Sequence, residues 1–93
     1  MTAHLSYGTV RETERRAIHV LWVAGEVLEP PEIDDIAERL RERLAHRGEP
    51  TAEVVVVQAD SRETLRFYGH PYSISRVRAA LFNAAVTFAP MTL

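Results

Sequence analysis

Ninety-three residues, 46% of them hydrophobic and 26% charged, describe one ordinary globular domain and exclude a disordered or fibrous chain. The absence of cysteine excludes a disulfide framework, a thiolate metal site and a cysteine nucleophile. A formal net charge of −2 argues against nucleic acid as a partner.

Residues 1–5 lack the basic start and apolar core of a signal peptide, and no apolar run approaches the roughly 20 residues of a membrane helix, so a soluble cytoplasmic protein is expected. All eleven basic residues are arginine, which a GC-rich coding sequence explains without any selection for guanidinium chemistry.

The first element is ambiguous. Leu5, Tyr7 and Thr9 alternate with Ser6, Gly8 and Val10, which suits a short strand, and the charged run over residues 11–16 reads as a solvated turn. A rival reading makes residues 10–27 one helix. The β-branched and aromatic Ile18, Val20, Trp22 and Val23, together with Gly25, favour a strand over residues 17–27.

After Pro30 and Pro31, the apolar residues Ile33, Ile36, Ala37, Leu40 and Leu44 fall on one helical stripe. Acidic Glu32, Asp34 and Asp35 stand at its positive end, and Arg41, Arg43 and Arg47 stand towards its negative end. Asp35 with Arg39 and Glu38 with Arg41 have the spacing of helical ion pairs, and Gly48 can make the left-handed turn that ends the helix.

Residues 52–59, with four consecutive valines, and residues 64–69 read as a β-hairpin whose turn uses Asp60 and Ser61. A second helix follows, capped by Ser73 or Ser75 and carrying Ile74, Val77, Leu81, Ala84 or Ala85, and Phe88. A last short strand is expected over residues 86–93.

The order strand, helix, strand, strand, helix, strand, with an additional strand in front, matches a ferredoxin-like α+β sandwich over residues 1–93. That plan has an antiparallel sheet with two helices on one face. It hosts many unrelated functions, and no motif here marks a particular family.

The strands themselves are apolar on both sides. Val54 and Val56 oppose Val55 and Val57, and Ile18, Val20 and Trp22 oppose Leu21 and Val23. In the expected sandwich one face would stay open, a patch of several hundred Å² that soluble monomers seldom expose. A homo-oligomer is therefore expected, most simply a dimer of back-to-back sheets, with His19, Leu21, Val23, Val55 and Val57 at its interface.

Candidate chemistry is sparse. The cluster Arg62, Arg66, Tyr68, His70, Tyr72, Arg76 and Arg78 surrounds the start of the second helix. Free N–H groups beside guanidinium groups suit an anion, so His70, Tyr72, Ser73, Ser75, Arg76 and Arg78 form a candidate phosphate or carboxylate site. The competing reading pairs these arginines with Asp60, Glu63 or Glu53. His70 is the histidine best placed for proton transfer, His19 has the setting of an interface or core residue with one satisfied nitrogen, and His4 and His46 should be exposed.

No two histidines have a metal-ligand spacing, and no phosphate loop or nucleophile elbow exists, so no metal, cofactor or catalytic residue is expected. The pattern reads as a small self-associating binding or accessory module without catalytic machinery. The alternative is a small dimeric enzyme or anion-binding protein that uses the Arg62–Arg78 region, and a third reading is a nucleic-acid binder through the same surface.

Overall fold

Two long strands open the chain. Strand β1 covers His4–Arg11 and β2 covers Ala17–Ala24, paired antiparallel along their whole length from His4 opposite Ala24 to Arg11 opposite Ala17. The strand reading of the first segment is correct, and a single helix over residues 10–27 is excluded. The structure, a computed structural model, describes residues 3–60 and 64–93.

Helix α1 covers Pro30–His46, with Ile33, Ala37, Leu40 and Leu44 buried at the expected spacing. Glu32 reaches back to accept the Glu29 N–H at 3.1 Å, which satisfies one orphan donor of the first turn. The helix stops at a left-handed Gly48 (φ 89°), with Gly48 N–H bonded to Ala45 O and Glu49 N–H to Leu44 O. This is the pairing of a Schellman cap. The Asp35–Arg39 and Glu38–Arg41 pairs form at 3.1 and 3.5 Å on the solvent side.

Strand β3 (Glu53–Ala59) and β4 (Leu65–Tyr68) form the expected hairpin, with Ala59 opposite Leu65. The turn residues Ser61 and Glu63, like Arg62, lie outside the described residues. Helix α2 covers Pro71–Phe82, and β5 covers Ala89–Met91. The cap of α2 is neither serine. His70 occupies that position, and its Nδ1 accepts the Tyr72 N–H at 3.2 Å. Ser73 lies inside the helix and is buried.

The five strands form one mixed sheet in the order β4-β3-β2-β1-β5. Two features depart from the ferredoxin-like plan. First, β2 and β3 are neighbours and run parallel, joined by α1, so the sheet is not antiparallel throughout. Second, the helices lie on opposite faces. Leu21, Val23, Val54 and Val56 pack with α1, whereas Ile18, Val20, Val55 and Val57 pack with Val77 and Ala80 of α2.

The physical reason lies in the central strands. Both faces of β2 and β3 are apolar, and each face is covered by one helix of the same chain. The segment after α2 completes the second cover, with Val86 and Phe88 packed into that core and Trp22 against the Phe88 ring at 5.5 Å between centroids. It passes so close to β1 that a Cβ on Gly8 would sit 2.8 Å from Thr87 O.

The open face that motivated a dimer therefore does not exist. His19, Leu21, Val23, Val55 and Val57, expected at an interface, are between 0 and 4% exposed within one chain. None of them offers surface to a second copy. Among the described residues, no helix is long and apolar enough to cross a membrane.

One buried polar side chain ties the layers together. Gln58, fully buried on β3, accepts the Leu28 N–H at 3.0 Å and donates to Glu26 O at 3.1 Å and Ala59 O at 3.2 Å. It thereby holds the β2–α1 connection against the end of β3.

Candidate functional site

Polar side chains concentrate where β2 and β3 begin. The β1–β2 turn and the α1–β3 connection meet there around a groove of about 520 Å³, lined by Arg15, Arg16 and Ala17 on one side and residues 48–53 on the other. Its charged groups are Arg15, Arg16, Glu49 and Glu53.

Three of these four charges are held from behind. Glu49 follows the Schellman turn of α1, and its Oε1 accepts from Nε2 of His19 at 3.2 Å. The His19 side chain is only 5% exposed, and its Nδ1 accepts from the Tyr7 hydroxyl at 2.5 Å. The Tyr7 and His19 rings stack, with 5.8 Å between centroids. Both ring nitrogens are therefore engaged, and the tautomer of the neutral ring follows: the Glu49 carboxylate can only accept, so Nε2 carries the proton and Nδ1 is left to accept from the Tyr7 hydroxyl. Burial, reinforced by the Glu49 carboxylate and partly offset by Arg47, raises the Tyr7 hydroxyl above its usual pKa. At neutral pH it is held as a donor, not poised as a nucleophile.

Arg16 is held by Glu12, with Nε 3.7 Å from Oε1. The Glu12 side chain is 9% exposed, and its Oε2 accepts the Tyr72 hydroxyl at 2.8 Å and lies 3.7 Å from Arg76 Nε. Glu12 Oε1 is buried without a hydrogen bond among the described residues. Glu53 is reached by the buried Ser73, whose Oγ donates to Oε2 at 3.4 Å. Arg15 makes no ion pair among the described residues.

The expected anion site is thus dispersed. Tyr72, Ser73 and Arg76 do gather at the start of α2, but they face the chain's own carboxylates Glu12 and Glu53. His70 is spent on the cap, and Ser75 stays exposed on the helix. Arg78 lies 4.7 Å from the centre of the Phe67 ring, a cation–π contact directed towards β4. Glu53 was among the expected acidic neighbours of this region, and it partners Ser73; the carboxylate that Arg76 meets is Glu12.

Tyr7, Glu12, Arg15, Arg16 and Glu49 were not singled out. The spacing of Glu12 and Arg16 was a signal, but a charged turn gives no hint that a tyrosine 60 positions later will bury its carboxylate. His4 and His46 are exposed as expected. Among the described residues, no three His, Asp or Glu side chains are grouped to hold a metal ion. No known family model, curated protein or solved structure matches this chain at a significant level, so the meaning of the site rests on its geometry.

Proposed function

We propose that the chain is a small binding module and that its ligand site is the polar groove at the start of β2 and β3. One observation carries this reading. Three of the four charged groups on the groove wall have a partner behind them: Glu49 the buried His19, Glu53 the buried Ser73, and Arg16 the partly buried Glu12. Exposed charges on a merely soluble surface are not backed in this way, because ordering them costs side-chain entropy for little return. Ligand sites are built so, with first contacts oriented by a second layer.

The ligand suited to such a wall is small and polar. It carries an acidic group for Arg15 and Arg16 and a hydrogen-bond donor, such as an ammonium or hydroxyl, for Glu49 or Glu53. Self-association loses its premise once both sheet faces are covered, and the single chain is the binding unit in this reading.

The test is an amide NMR titration of the ¹⁵N-labelled chain with inorganic phosphate, glutamate and a nucleoside monophosphate. Shifts confined to Arg15, Arg16 and residues 48–53, lost in Arg15→Ala, support the proposal. No saturable shift with any of the three at millimolar concentration ends it.

A further inference from the structure

A second groove, of about 540 Å³, lies beyond the other end of β2 and has different chemistry. Its walls are Ala3 and Leu5 from the start of the sheet, Glu26 and Leu28 from the β2–α1 connection, and Pro31, Glu32, Asp35 and Ile36 from the first turns of α1. The floor is aliphatic, the rim holds three carboxylates, and no cationic side chain lines it.

The wall is not a loose loop. Gln58 clamps it through the backbone of Leu28 and Glu26. The capping contact of Glu32 with the Glu29 N–H fixes the helix start beside it.

We infer that this groove docks an extended basic segment of a partner protein, with aliphatic side chains on the floor and Lys or Arg side chains over the rim. Charge complementarity selects the sign. Asp35 pairs with Arg39 on the solvent side at 3.1 Å, and one oxygen of Glu32 is committed to its cap, whereas Glu26 makes no ion pair among the described residues. The positive end of the α1 dipole offsets part of the acidic field. Apolar contact therefore supplies most of the affinity, and the rim charge supplies the discrimination between partners.

Length fits as well. Pro31 to Ile36 covers about 8 Å of helix axis at 1.5 Å per residue, which spans two or three residues of an extended peptide. This surface is independent of the polar groove, and either can fail without the other.

The experiment titrates the full-length chain with three labelled hexapeptides, one alternating leucine and lysine, one leucine and glutamate, one serine and lysine. Fluorescence anisotropy measures affinity, and amide shifts locate the peptide. The leucine–lysine peptide should bind with shifts at Leu5, Glu26, Leu28 and Ile36, leaving residues 48–53 unmoved. The double substitution Glu26→Gln/Asp35→Asn should weaken it by about 3- to 30-fold, the range for two rim charges. Ile36→Ala, at a half-buried floor position, should weaken it without unfolding the chain, which circular dichroism checks.

Equal binding of the leucine–glutamate or serine–lysine peptide overturns the inference. So does binding that maps elsewhere, or no binding of the leucine–lysine peptide at millimolar concentration.

Discussion

Replacing Gln58 by leucine tests whether the β2–α1 connection depends on one buried amide. The side chain is fully buried, so neither of its polar ends is exchanged for water in the folded chain. Leucine removes the acceptor for Leu28 N–H and the donor to Glu26 O, contacts of 3.0 and 3.1 Å. An orphaned buried group costs about 1–3 kcal/mol, and two such groups cost about 2–6 kcal/mol, counting neither Ala59 O nor Val23 O because both lie in strands with other partners. The added apolar surface of leucine returns about 1 kcal/mol. The net expectation is a loss of about 1–5 kcal/mol, out of the roughly 5–14 kcal/mol that a chain of this length holds. For a domain of this size each kcal/mol lost lowers Tm by about 4–8 °C.

Urea denaturation followed by circular dichroism measures the change, with an m value equal to that of the parent chain. Gln58→Glu provides a second measurement. It keeps an acceptor for Leu28 but buries a carboxylate, whose folded-state pKa is thereby raised. Its penalty should be small below the ordinary carboxyl range and grow as pH rises through it. A Gln58→Leu protein within 0.5 kcal/mol of the parent would refute the claim that this amide holds the connection.

Other expectations follow from single positions. Because the Tyr7 pKa is raised in the folded chain, its contribution to stability is complete below the ordinary tyrosine value of 10.0 and is lost as pH climbs through the folded-state value; Tyr7→Phe should abolish that alkaline decline, read by denaturation at pH 8 to 11. Helix α2 ends in the same hydrogen-bond pattern as α1 but with Ala84 in the left-handed position at φ 51°, so Ala84→Gly should stabilise the chain by about 0.5–1 kcal/mol in chemical denaturation. Gly8→Ala should destabilise by about 1–3 kcal/mol, since its Cβ would meet backbone 2.8 Å away. Light scattering at micromolar concentration should report a 10.5 kDa species, and a stable dimer would show that a surface other than the covered sheet faces associates.

The parts of the fold written in local pattern were legible. The stripe of α1, its Gly48 stop and the β3–β4 hairpin each depend on neighbours a few residues apart, and each is present. The face taken by α2 was not. When Val54 to Val57 are apolar on both sides, a strand's periodicity is the same whether its second face is covered by a helix of its own chain or by another molecule. The His70 cap was missed because serine is the commoner cap, and here the serine at position 73 is drawn inward to Glu53. His19 was readable as a core residue, but its two partners come from β1 and from the turn after α1, which no spacing connects.

Both grooves are products of one β2–α1–β3 unit. The apolar groove forms where the chain leaves β2 for α1, and the polar groove forms where it leaves α1 for β3. Each connection is held to the sheet by one buried polar side chain, Gln58 at the first and His19 at the second. Between them lies α1, whose 17 residues extend about 25 Å. Sites this far apart and without shared partners respond additively to substitution. A change at Gln58 should therefore disturb the apolar groove and leave phosphate or glutamate titration at residues 48–53 intact, while His19→Ala should release Glu49 and do the reverse. Coupled losses from either change would mean that the unit moves as a whole, and the two surfaces would then have to be read as a single site.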